Sequence, residues 1–136
     1  MKRIFLVCLF LMLNITLTVH AENTPDLEME NFKFGIMDMK PGALFVTQET
    51  NRFQRQNGIL FGFTYDFVKH KKSPVNERVI IIFPDQKINE SQAKIKKKSG
   101  TQHFGGLLHK GDLIGKYVIR IEHDGVLVKT VEYTIE

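Results

Sequence analysis

Thiols are almost missing from this chain. Cys8 is the one cysteine in 136 residues, and it lies inside an apolar leader. MKR gives that leader a positive start, IFLVCLFLMLNITLT supplies the apolar run, and VHA ends it with Val19 and Ala21 at the two positions a signal peptidase reads. The expectation is a secretory signal peptide over residues 1–21, cut after Ala21. The run is shorter than the ~20 residues that span a bilayer. Cys8 comes too early for lipidation at a cleavage point. The expected mature chain then has no disulfide, no thiolate nucleophile and no cysteine-based metal site. Its core alone must hold it, and a domain of this size buries about two-thirds of its unfolded surface.

Hydroxyl nucleophiles are scarce too. The three serines, Ser73, Ser91 and Ser99, sit in lysine-rich stretches, and none has a G-x-S-x-G setting. The glycine pairs lack the K-[ST] ending of a phosphate loop. Aspartates fall at expected turns or strand ends, apart from Asp66 in mid-strand, which is expected to face solvent. Net charge is small as well. The formal +4 includes Lys2 and Arg3 of the leader, so the rest carries 17 basic and 15 acidic residues, or +2. That weakens a nucleic-acid reading. No cofactor is expected.

Four histidines lie beyond the leader: His70, His103, His109 and His123. None has the i, i+2 or i, i+4 spacing that brings metal ligands together locally. A zinc or copper site would need His70, His103 and His109 to meet through the fold. This is the rival reading, a metal-binding or hydrolytic protein.

What the sequence does have is alternation. Residues 22–30 read as an acidic, flexible lead-in. From Asn31, Phe32, Phe34 and Ile36 alternate with Lys33 and Gly35, and Lys40-Pro41-Gly42 marks a turn before ALFVTQET. In ILFGFTYDFV, residues Ile59, Phe61, Phe63, Tyr65 and Phe67 share one face of a strand. Gly62 between two phenylalanines marks a bulge or a close backbone approach. RVIIIF reads as a central strand closed by Pro84. QKINESQAKIKKKSG reads as a connection with room for one short helix, and a short strand is expected near His103–Leu108. Two more strands follow, at Lys116–Glu122 and Val126–Ile135. Asn89-Glu90-Ser91 matches a glycosylation sequon.

The terminal hairpin allows two turns. A two-residue Asp124-Gly125 turn pairs His123 with Val126 and puts Thr130 and Glu132 on the face of Tyr117, Ile119 and Ile121. A three-residue turn, His123-Asp124-Gly125, pairs Glu122 with Val126, sets Tyr117 opposite Val131, and places Leu127, Val131, Tyr133 and Ile135 on that face. Burial favours the second, since a one-residue shift exchanges faces. His123-Asp124 is then a surface corner.

The pattern predicts an all-β domain over residues 31–136, with about six or seven strands in two antiparallel sheets. FKFGIMD, GILFGFTYDF, RVIIIFP and GKYVIRIEHDGVLVKTVEYTI resemble the motifs of an uncharacterised bacterial family of small exported domains. Gly35, Gly58, Phe61-Gly62-Phe63, Pro84, Gly115 and Tyr117 occupy its pattern, with Tyr117 where tryptophan is commoner. The resemblance covers about residues 32–136. It implies an immunoglobulin-like sandwich and supplies no activity or ligand.

The remaining function classes follow from the lysines. KHKK and KIKKK carry Lys69, Lys71, Lys72, Lys94, Lys96, Lys97 and Lys98. Brought to one end by folding, they make a patch for an anionic envelope component. Left apart, they are a solvated rim that blocks edge pairing. The first expectation is a non-enzymatic, exported binding or accessory module, periplasmic or secreted, whose partner is another protein or an envelope component.

Overall fold

The computed structural model describes residues 26–136; the expected signal peptide and residues 22–25 lie outside the described residues. The described chain is all β, in nine strands: β1 Leu27–Lys40, β2 Ala43–Glu49, β3 Arg52–Phe53, β4 Leu60–Lys69, β5 Val75–Ile82, β6 Ile88–Ile95, β7 Ser99–Leu107, β8 Gly115–His123 and β9 Val126–Ile135. They form an immunoglobulin-like sandwich of a four-stranded sheet, β2-β1-β4-β7, and a five-stranded sheet, β3-β9-β8-β5-β6. Every pairing is antiparallel except β3 with β9.

Alternation builds the core as expected. Phe63, Tyr65 and Phe67 of β4 are buried against Val75 and Val79 of β5, Tyr117, Ile119 and Ile121 of β8, and Tyr133 and Ile135 of β9. Tyr117 stacks on Tyr133 with centroids 4.9 Å apart. Such pairs contribute ~0.5–1.5 kcal/mol beyond their area.

Three stretches read as connections are strands. Residues 27–30, taken as lead-in, pair with β4, from Leu27 opposite Lys69 to Glu30 opposite Asp66. Leu27 is buried. Irregular pairing follows at Asn31, whose φ of 51° is left-handed, a conformation asparagine tolerates. Arg52–Phe53 lies in a polar stretch, yet Phe53 is buried among Phe34, Phe61 and Tyr133. Residues 88–95 form a strand and not a helix. Their apolar stripe is thin because β6 is a sheet edge with Ile95 alone buried.

Gly62 is a close approach, as its setting implied. Gly35, Gly62 and Gly105 lie in register across β1, β4 and β7. A Cβ on Gly62 would sit 1.9 Å from the Phe104 carbonyl oxygen. Beyond this row β1 shifts register against β2, and the buried Met37 comes over Gly105.

The hairpin combines the two readings. Its turn is the two-residue one: His123 pairs with Val126, and Asp124 (φ 48°) and Gly125 (φ 81°) are both left-handed, as a type I′ turn requires. A register shift next to Ile121 then inserts one residue, so Ile121 pairs with Lys129, Ile119 with Val131 and Tyr117 with Tyr133. That bulge exchanges the faces of β9 and returns Val131, Tyr133 and Ile135 to the core. Leu127, expected inward, precedes the bulge and is 45% exposed.

Candidate functional site

The strands of the sandwich run between two ends. The β4–β5 loop, the β6–β7 loop, the β8–β9 turn and the start of β1 share one of them, as the pairings of Leu27 with Lys69 and Glu77 with His123 require. This end carries the two lysine-rich segments, and Lys69 fastens them together. Its backbone N–H donates to the Lys98 carbonyl at 2.7 Å. Its ammonium donates to the carbonyls of Lys96 at 2.9 Å, Ser73 at 3.2 Å and Lys72 at 3.5 Å.

Lys69 is therefore a buried clamp, only 6% exposed, and not part of a surface patch as the sequence suggested. Carbonyl dipoles satisfy its donors but leave its positive charge uncancelled. Lys71 is also spent. It pairs with Asp124 and lies 4.0 Å from Asp26. The Lys71 hydrogen bond, with one from the Asn76 N–H, holds the Asp124 carboxyl below its ordinary range. Lys72, Lys94, Lys96, Lys97 and Lys98 are exposed. Among the described residues none of these five has a carboxylate partner.

His123 overturns the surface-corner reading. It is 6% exposed, and its Nε2 lies 3.0 Å from Glu77 Oε2 and 3.1 Å from the Tyr65 hydroxyl. Tyr65 donates to the same carboxylate oxygen, and Gln102 Nε2 donates to Glu77 Oε1 at 3.1 Å. Glu77 and His123 face each other across β5 and β8, while Tyr65 and Gln102 reach them from the other sheet. Burial pushes the Glu77 carboxyl up, but the bonds from His123, Tyr65 and Gln102 outweigh it and hold the group below the usual carboxylate range. Burial, then the Glu77 charge, pushes the Tyr65 phenol far up. An ionised carboxylate only accepts, so Nε2 carries the proton. Nδ1 is buried and has no hydrogen-bond partner among the described residues.

Chemically this is an imidazole–carboxylate–phenol set, the composition of an acid–base site. Its placement differs from one: it is closed between the sheets, and both Glu77 and His123 are buried. The sequence held the signal. Tyr117, Ile119, Ile121 and His123 continue one alternation, as do Glu77, Val79 and Ile81; ending β8 at Glu122 and starting β5 at Arg78 hid both.

The histidines of the metal reading do not converge. His103 is opposite Thr64 in mid-strand. His70 lies six residues beyond Thr64, roughly 20 Å along the strand at ~3.3 Å per residue. It sits at the lysine-rich end, 3.4 Å from Glu28. His109 follows β7 at the far end. Extended strands hold the three apart, and among the described residues no group of three or more His, Cys, Asp or Glu side chains is placed to hold a metal. Asp66 is on the outer face, accepting from Asn31 at 3.0 Å and Thr101 at 2.8 Å.

At the far end is an open cleft of about 360 Å³ lined by Phe83, Asp85, Lys87, Gly111, Asp112, Leu113 and Tyr117. Its carboxylates are engaged locally, Asp85 with Lys87 and Asp112 with the His109 N–H.

No protein-family model and no curated protein matches the chain. Among solved structures, an immunoglobulin-like protein (PA1606) from Pseudomonas aeruginosa matches with a TM-score of 0.55 and 11% identity, over 81% of this chain and 96% of that one. At that identity the likeness shows the fold. The Pseudomonas fluorescens alkylpurine DNA glycosylase AlkC, bound to DNA containing an abasic site analog, reaches a TM-score of 0.49 at 10% identity over 82% of this chain and 30% of that one.

Proposed function

We propose that this protein is an exported, non-enzymatic binding module whose lysine-rich end engages an anionic component of the bacterial envelope. The observation that carries the reading is the Lys69 clamp. It joins the two loops that bear Lys72, Lys96, Lys97 and Lys98 through three carbonyls, and among the described residues its ammonium has no carboxylate partner. A fixed cluster of like charges around a buried ammonium focuses positive potential on one end of the molecule. Export rests on the leader over residues 1–21, and a periplasmic or secreted location follows from it. The burial of His123 and Glu77 between the sheets supports binding over catalysis.

Co-sedimentation with vesicles tests the reading. The protein is expected to pellet with phosphatidylcholine vesicles containing phosphatidylglycerol and to stay in the supernatant with phosphatidylcholine alone. Equal behaviour with both vesicle types overturns it.

A further inference from the structure

The tip of the terminal hairpin is apolar and uncovered. Val126, Leu127 and Val128 open β9, and they are 65%, 45% and 38% exposed. Apolar residues scattered singly over a surface need no explanation, but a contiguous group marks an interaction site. Val126 pairs with the buried His123 and is still the most exposed of the three, so the tip extends past the end of the core. On the outer side of β9, β3 pairs only with Thr134 and Ile135, which leaves 126–128 without a neighbouring strand there among the described residues.

The tip also sits among the lysines. The Asp124 N–H in its turn donates to the Asn76 carbonyl at 2.9 Å, and the Asn76 N–H donates to Asp124 Oδ1 at 2.9 Å. Asn76 is opposite Lys94 across β5 and β6. Lys71, next to Lys72 in the β4–β5 loop, pairs with the Asp124 carboxylate and offsets its charge. Lys129 follows the tip along β9 and lies over the Phe32 ring, 4.8 Å from its centroid. Apolar side chains at the point with cations behind them are the two halves of an interfacial anchor.

We propose that the Val126-Leu127-Val128 tip enters the headgroup–acyl boundary of an anionic lipid bilayer, while the lysines behind it, Lys72 and Lys94 among them, meet the headgroups. The inference rests on the reading of this end as an anion-binding surface and names the bilayer as the source of the anions. A soluble polyanion would use the lysines and leave the three apolar side chains in water. A protein surface laid against one face of the strand would leave part of the tip bare, because successive strand residues such as Val126 and Leu127 point to opposite faces. A bilayer surrounds what enters it and covers both. Leu113, 44% exposed, is not equivalent. It lines the far cleft with two carboxylates, Asp85 and Asp112, against one lysine, Lys87, and that balance opposes an anionic surface.

The chain has no tryptophan, so single reporters test the proposal. Leu127→Trp and Leu113→Trp, each checked for folding by circular dichroism, are compared on phosphatidylcholine vesicles containing phosphatidylglycerol. Residues 1–21, where retained, are common to both. Emission from the reporter at 127 is expected to shift to the blue and to be quenched by lipids brominated on their acyl chains, and the reporter at 113 is expected to show neither. Replacing Val126, Leu127 and Val128 together by Ser should weaken vesicle affinity at least about tenfold, the effect of returning one leucine-sized side chain to water. The salt dependence should be unchanged, because the lysines remain. Pelleting with no blue shift at 127, a shift at 113 equal to that at 127, or undiminished affinity of the Ser variant overturns insertion and leaves the anion-binding reading standing. Protein that stays in the supernatant with these vesicles overturns both.

Discussion

His123 Nε2 lies 3.0 Å from Glu77 Oε2, inside a core where both side chains are almost wholly out of water. The pair joins neighbouring strands of one sheet, and Tyr65 and Gln102 tie it to the other. Removing one member leaves the other buried and uncompensated. Glu77→Ala and His123→Ala should each cost about 3–5 kcal/mol, and Tyr65→Phe about 1–3 kcal/mol. Urea unfolding measures this. The double variant at 77 and 123 should lose less than the sum of the singles. Strict additivity would show that the two groups do not act together.

The same network sets the acid limb of stability. Glu77 is held below its unfolded value, so its contribution is present above the ordinary carboxylate pKa of ~4.3 and is lost as pH falls through the folded value. The phenols of Tyr65 and Tyr133 are pushed up, chiefly by burial. Their contribution is present below the unfolded phenol pKa of ~10 and is lost as pH rises from there through the folded values. Urea midpoints should fall on both sides of that window, and Glu77→Gln should flatten the acid side. An acid limb of unchanged depth in Glu77→Gln assigns it to other carboxylates.

The glycine row predicts a sharp contrast. A Cβ on Gly62 or Gly35 would meet a backbone carbonyl oxygen at 1.9 Å or 2.0 Å, whereas one on Gly106 meets nothing within 4 Å. Gly62→Ala and Gly35→Ala should each lose at least about 1–3 kcal/mol. Gly106→Ala should stay within about 0.5 kcal/mol. Equal midpoints for the three would contradict the packing described.

Deleting Tyr133–Glu136 should unfold the protein. It removes two buried side chains and the ladder on which β3 seats Phe53. Circular dichroism of the product reads the outcome, and a folded, soluble truncation contradicts the prediction.

The sandwich was legible wherever alternation was complete. The aromatic face of β4 and the inward set of β8 came directly from period two. The edge strand β6 was not legible, because it buries Ile95 alone and leaves almost no apolar signal. Nor was the bulge in β9, because one inserted residue erases the register evidence on which a turn assignment rests. The lysine-rich end was legible as composition. The role of Lys69 was not, since a lysine whose ammonium binds carbonyls reads in sequence like its solvated neighbours.

The salt dependence of binding to phosphatidylglycerol-containing vesicles tests the functional claim most directly. Wild-type affinity should fall steeply as ionic strength rises and the screening length shortens. Replacing Lys72, Lys96, Lys97 and Lys98 by Gln should abolish most of the binding, while Gln at Lys33, Lys40, Lys87 and Lys116, an equal loss of charge elsewhere, should leave it nearly intact. Equal losses in the two quadruple variants, or affinity indifferent to salt, would contradict the account.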